Sequence, residues 1–149
     1  MSLQKLGYDA LKSYAGVFVA SNLKANEKLN FGNNIVAEAG SNGVIYATIS
    51  DAINYFSGAR SDLANGDLRR YLDSCIFFGA LSGGAILTNA DVLAFNTVKG
   101  VSPLSPELNA QLVETAIITG GRFLGDYIES TPQAPQMLRN LRRPTRLIS

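Results

Sequence analysis

The sequence predicts an all-α fold: a four-helix bundle with transmembrane helices and short polar connectors. Three observations carry that expectation. Apolar residues recur at helical spacing in four stretches, each bounded by Gly, Pro or Asn breakers. A small residue, three others and a second small residue occur in all four stretches, the pattern that lets helix backbones approach closely. Residues 74–90, SCIFFGALSGGAILTNA, carry no charge at all, with Arg69 and Arg70 just before them.

The first helix is expected over residues 3–23, where Leu6, Ala10, Tyr14, Val17 and Leu23 recur at roughly helical spacing. Its uncharged part, 13–23, is short for a bilayer span. A polar connector with Gly32, Asn33 and Asn34 separates it from a second helix over 35–57. There Val44-Ile45-Tyr46 and Thr48-Ile49 raise strand propensity, but Ile45, Ile49, Ala52, Ile53 and Phe56 keep helical spacing and favour the helix.

The 57–70 connector is the most hydrophilic part of the interior of the chain. Gly58 and Gly66 flank it, and Asp67 is placed to cap a helix starting at Leu68. That third helix is expected to run over 68–95. Lys99, Gly100, Pro103 and Pro106 mark the next turn. Ser105-Pro106-Glu107 is a start signal for the fourth helix, 106–129: a cap, a proline at the first position and an acid in the first turn. Pro132 and Pro135 end it. The chain thus divides into a helical bundle, 1–130, and a basic C-terminal tail, 131–149.

Within these helices the small pairs are Gly16 with Ala20, Gly43 with Ala47, Gly79 with Gly83, Ala80 with Gly84, Ala116 with Gly120, and Gly121 with Gly125. Residues four apart share one helix face, so each pair is a candidate helix-packing groove. In water an interior glycine costs ~1 kcal/mol relative to alanine, whereas in lipid close approach is a main route to helix association.

Charge placement points the same way. If all four helices span, Lys5, Arg60, Arg69, Arg70, Arg139, Arg142, Arg143 and Arg146 lie on one side and outnumber Lys24, Lys28 and Lys99 on the other, as the positive-inside rule requires. Glu38, Asp51, Glu114 and Arg122 count against it. They fall within or near the spans, where each costs ~2.5–3.5 kcal/mol at a helix centre. A soluble bundle would carry them on wet faces.

Composition narrows the chemistry. The chain is 46% apolar and 17% charged, with 13 basic and 12 acidic residues and a net charge of +1, so no nucleic-acid partner is expected from charge. There is no histidine, which removes the commonest general base and zinc ligand. The one cysteine, Cys75, excludes an internal disulfide or a multi-thiolate site and reads as a buried structural residue. No basic-then-apolar pattern of a cleaved signal peptide opens the sequence.

The carboxylate pairs Glu114/Asp126 and Glu38/Asp51 are widely spaced along their helices and read as surface or helix-end groups. The glycines around Ser82 lack GK[ST] and a preceding strand, so they make no phosphate loop, and Ser82 has no base to activate it. No enzyme activity, catalytic residue, cofactor or metal is expected. Arg139, Arg142, Arg143 and Arg146 are the partner-binding candidates, suited to anionic headgroups or an acidic protein groove.

In whole-chain character the sequence resembles the small membrane-associated minor capsid proteins of large icosahedral DNA viruses. It has several Gly/Ala-rich helices, no catalytic set, and the basic tail Arg142-Arg143-Pro144-Thr145-Arg146. That resemblance implies a structural assembly role in the virion: helices anchored in an inner membrane, the tail and the 57–70 connector against capsid subunits. A small transporter or channel subunit working through Glu114 or Asp51 is the alternative. A soluble helical interaction module is the third.

Overall fold

The computed structural model describes residues 3–25, 34–101, 103–131, 133, 135, 136, 140 and 142. Among them the chain is all-helical, with five helices in the order α1 Leu3–Ala25, α2 Ile35–Phe56, α3 Leu68–Thr88, α4 Ala90–Lys99 and α5 Pro106–Ser130. The Val44–Thr48 region, for all its β-branched residues, is helical.

Where helix ends are written in local hydrogen bonds, they fall as expected. The Asp67 carboxylate accepts from the Arg70 N–H and starts α3 at Leu68. Ser105 Oγ accepts from the Leu108 N–H, with Pro106 and Glu107 opening α5. Asn34, expected only as a breaker, is the cap of α2 and accepts from the Ala37 N–H. Gly58 and Gly66 take φ of 83° and 72°, left-handed values that only glycine adopts at little cost, and so turn the chain at both ends of the connector.

One expectation needs correction. The third helix does not run unbroken to residue 95: it stops at Thr88, and Asn89 adopts φ 55° and ψ 26° before α4 begins. Asparagine tolerates the left-handed region better than other side-chain-bearing residues, so it ends a helix much as glycine does.

α2 packs most extensively on α3. α1 lies against α2 and α5, α3 also touches α5, and α4 packs on α5 and α3. The central core is small: Val17, Ala20, Tyr46, Ala47, Phe78 and Ile118, with Ile45, Tyr71, Cys75, Phe77 and Leu81 packed around it. The Tyr46 and Phe78 rings meet edge to face at 6.5 Å.

Four spanning helices were expected. By length and composition, among the described residues, one helix passes: α3, with a mean hydropathy of 1.3, of which only 17% is buried inside the protein. α1 carries Lys5, Asp9 and Lys12, and α5 carries Glu107, Glu114, Arg122, Asp126 and Glu129, which lowers their hydropathy.

Candidate functional site

The interior of this protein is unusually polar. Among the described residues the buried polar ones, Asp9, Lys12, Ser13, Asn42, Ser50, Asp51, Ser61, Asp73, Ser82, Asn109 and Thr115, outnumber the buried apolar ones. Large apolar side chains face outward on every helix: Leu11 and Phe18, Val44 and Phe56, Ile76 and Leu87, Leu93, Leu112 and Phe123. A soluble domain normally buries charge only in pairs and keeps its large apolar groups inside.

Arg122 anchors the larger polar cluster. Its Nε donates to Ser13 Oγ at 2.9 Å and its Nη2 to Ser50 Oγ, while the guanidinium lies over the Phe78 ring, 4.5 Å from its centroid. Ser13 Oγ in turn donates to the Asp9 carbonyl at 2.8 Å. One cation on α5 therefore touches α1, α2 and α3, by two hydrogen bonds and a ring contact.

Lys5, in the first turn of α1, bridges Asp9 at 3.0 Å and Asp126 at 2.6 Å. The hydrogen bond that Lys5 donates to Asp126 raises the Lys5 pKa above its ordinary value, against the opposing pull of burial. Lys12 and Tyr8 both donate to Asn54 Oδ1, at 3.2 and 2.8 Å.

Lys5, Asp9, Lys12, Ser50, Asn54, Arg122 and Asp126 line a cavity of about 250 Å³ together with Arg60, Asp62, Arg70 and Arg142. The cavity thus gathers the start of α1, the end of α2, the start of α3 and the end of α5. Lys5, Arg60, Arg70 and Arg142, far apart in sequence, meet at one end of the molecule.

Asp51 does something more specific than line this cavity. Its Oδ2 accepts from Ser61 Oγ at 2.6 Å and from the Leu63 N–H at 3.3 Å, and its Oδ1 accepts from the Asp62 N–H at 2.7 Å. Three donors on one carboxylate fold the connector back onto α2.

A second, smaller pocket of about 40 Å³ lies in the other half of the molecule, between α2, α3 and α5. It is lined by Glu38, Asn42, Tyr46, Ser82, Ala85, Ile86, Glu114, Ile117 and Ile118. Among the described residues the two pockets share no lining residue. Tyr46 donates to Glu114 Oε2 at 3.4 Å and Asn42 Nδ2 to Ser82 Oγ at 2.8 Å.

The small-residue pairs divide into two kinds. A methyl group added at Gly43 would sit 2.7 Å from the Gly79 nitrogen and 2.9 Å from its Cα. One at Gly79 would sit 3.3 Å from the Ala39 carbonyl oxygen, and one at Gly83 3.3 Å from the Ala39 Cβ. Ala47 is buried on the same helix. These residues form a seam in which α2 and α3 touch through backbone.

Gly16 and Ala20 are buried where α1 meets Tyr46, 2.9 Å separating an added Gly16 Cβ from the Tyr46 Cδ1. Gly121 receives the Leu81 side chain, and Gly125 lies beneath Phe77 and Arg142. Ala80, Gly84, Ala116 and Gly120 face outward instead, with nothing within 4 Å of an added methyl at Gly84 or Gly120.

Of the tail arginines, Arg139, Arg143 and Arg146 lie outside the described residues. Arg142 folds back onto the bundle, its guanidinium 4.8 Å from the Phe77 ring centroid and its Nε 3.9 Å from Glu129 Oε1.

Asp9, Lys12, Ser13 and Asp73 are interior groups that sequence reasoning did not single out. Nothing in their spacing separates them from surface polar residues, since what buries them is the helix that lands opposite. Comparison with known protein families finds no matching family, and no curated protein or solved structure matches the chain.

Proposed function

We propose that the chain is a membrane-embedded four-helix bundle with a structural, non-enzymatic role: an assembly protein that links a bilayer to neighbouring protein subunits, in the manner of a minor capsid protein. The observation that carries this reading is the inverted distribution of polarity, with charged and hydroxyl groups inside and large apolar side chains outside. Lipid solvates Phe18, Val44, Phe56, Ile76 and Leu87 better than water does. The same inversion answers the objection from intramembrane charge. Asp51 and Arg122 are held by hydrogen bonds within the protein, and Glu114 lines the smaller pocket and accepts from Tyr46.

In this arrangement α3 crosses with its full length, and α1 enters with its uncharged stretch 13–23. The outer groove along Ile35, Val36, Ala39, Gly40, Ile76, Gly79 and Leu87 is an apolar face suited to acyl chains or a second helix. Lys5, Arg60 and Arg70 gather at one end, the position of the cytoplasmic-side charges. A scaffold fits better than a conduit because different members of one core line the two pockets, Ala47 and Phe78 the larger and Tyr46 and Ile118 the smaller.

A small transporter or channel subunit is the second reading, favoured by the charged cavity of about 250 Å³. The test is alkaline-carbonate extraction of membranes from cells expressing the chain, followed by ion flux in liposomes containing it. Retention in the pellet without flux supports the scaffold, and retention with flux supports the conduit. Release as a soluble monodisperse species sinks both and leaves a soluble helical interaction module.

A further inference from the structure

We propose that the smaller pocket between α2, α3 and α5 is a binding site for an ordered internal water, held between the Asn42 amide and the Ser82 hydroxyl and linking α2 to α3. The site does not rest on membrane insertion, because both side chains are interior whatever solvates the outer faces.

The inference begins with one hydrogen bond. Asn42 on α2 is 2% exposed and Ser82 on α3 is 8% exposed, and Asn42 Nδ2 donates to Ser82 Oγ at 2.8 Å. Asn42 Oδ1, on the same amide carbon, is buried with no hydrogen-bond partner. An amide oxygen enclosed in this way costs free energy unless a donor reaches it.

The serine carries the complementary deficit. Among the described residues its hydroxyl makes this one hydrogen bond, as the acceptor, so its own hydrogen has nowhere to go. A helical serine commonly gives that hydrogen to the carbonyl one turn back, as Ser13 does to Asp9. The pair therefore lacks one donor and one acceptor, at atoms next to a contact of 2.8 Å. Water supplies both. It accepts from the Ser82 O–H and donates to Asn42 Oδ1, closing a ring with the bond already present.

The ring forms whichever way the amide is turned. With its ends exchanged, the Ser82 O–H donates to Oδ1, Nδ2 donates to the water, and the water donates to Ser82 Oγ. Either way the same two side chains need one molecule that both donates and accepts.

The space suits that molecule. Asn42 and Ser82 both line the pocket, whose volume of about 40 Å³ exceeds the ~10–15 Å³ that a water requires. Glu38, Tyr46 and Glu114 put further oxygens in the lining, and polar cavities hold water where apolar ones stay dry. The α2–α3 contact then has two layers. The glycine seam joins the helices through backbone, and on the side facing α5 the water joins them through side chains.

The test is a crystal structure of the full chain, purified in detergent, at a resolution that shows ordered water. A single-atom peak within hydrogen-bonding distance of both the Asn42 amide and Ser82 Oγ is expected in every copy. Asn42→Leu, similar in size but apolar, should lose the peak, and Glu107→Gln outside the pocket should keep it. Three results would overturn the proposal. The first is ordered Asn42 and Ser82 side chains in the wild type with no density beside them. The second is a protein group or a molecule larger than water occupying that place. The third is an undiminished peak in Asn42→Leu, which would show that the amide does not hold the water.

Discussion

Along the α2–α3 seam, backbone meets backbone: Gly43 lies against Cys75 and Gly79, and Gly79 and Gly83 against Ala39. Between α1, α2 and α5 the contact is made by side chains that reach, with Arg122 holding Ser13 on one helix and Ser50 on another. Neither region has the large interdigitated apolar core of an ordinary soluble bundle. The seam works by removing volume, so dispersion contacts and closely spaced backbones do the holding. The polar interior works by pairing, and its hydrogen bonds strengthen as water is excluded. A protein that spends its apolar side chains on the outside can still hold its helices together by these two means.

The largest effect that distinguishes them is expected at Gly43. Gly43→Leu places a side chain where the Gly79 backbone already lies 2.7 Å from the first added carbon, and backbone cannot rotate aside as a side chain can. A loss of ~3 kcal/mol or more is expected, read as a shift in denaturant midpoint followed by helicity. Stability within ~1 kcal/mol of the wild type would show that α2 and α3 slide freely, and the seam would lose its meaning.

A middle-sized effect tests the polar region. Arg122→Met retains the contact with Phe78 but removes the donor that Ser50 accepts from and leaves Ser13 with only its bond to the Asp9 carbonyl, at an expected cost of about 2–3 kcal/mol. Adding Ser13→Ala and Ser50→Ala should recover part of it, since a fully apolar replacement avoids the unpaired hydroxyls. If the triple variant is less stable than the single, Arg122 is not what those serines serve.

The smallest effect concerns the outward glycines. Gly120→Ala meets no neighbour, so helix propensity alone should act and stabilise the chain by ~1 kcal/mol or less. The measurement that sharpens the comparison is its oligomeric state in detergent. An unchanged state leaves Gly120 as plain surface, whereas dissociation of a complex would extend close-approach packing to contacts between chains.

Some of the architecture was legible because it is local. The starts of α3 at Leu68 and α5 at Pro106 lie in the reach of Asp67 and Ser105, three residues from the N–H groups they satisfy. The turns at Gly58 and Gly66 likewise need only glycine's access to positive φ. The break at Asn89 was not legible. The asparagine stands inside an apolar run, where helical spacing continues on both sides and nothing local marks the left-handed turn as preferred.

The two pockets lie between these cases. Glu114 and Asp51 stood out as charges in apolar surroundings, but their contacts differ, Asp51 folding the connector and Glu114 accepting from Tyr46 beside the smaller pocket. Asn42 carried no signal at all. A buried amide differs from an exposed one only in what surrounds it.

By itself, then, the sequence determined that this chain is helical, where most helices begin and which residues are small enough to permit contact. Those are properties of neighbours along the chain, set by capping, φ preference and volume. Tertiary structure alone decided which faces turn inward. Apolar residues are spread around these helices, so periodicity has no strong phase, and Gly43 becomes a seam while Gly120 stays outside because α3 packs on one and, among the described residues, none packs on the other. The same holds for polarity: Arg122, Asp51 and Asn42 are interior because partner helices supply their hydrogen bonds or enclose them, and no local rule records which helix that will be.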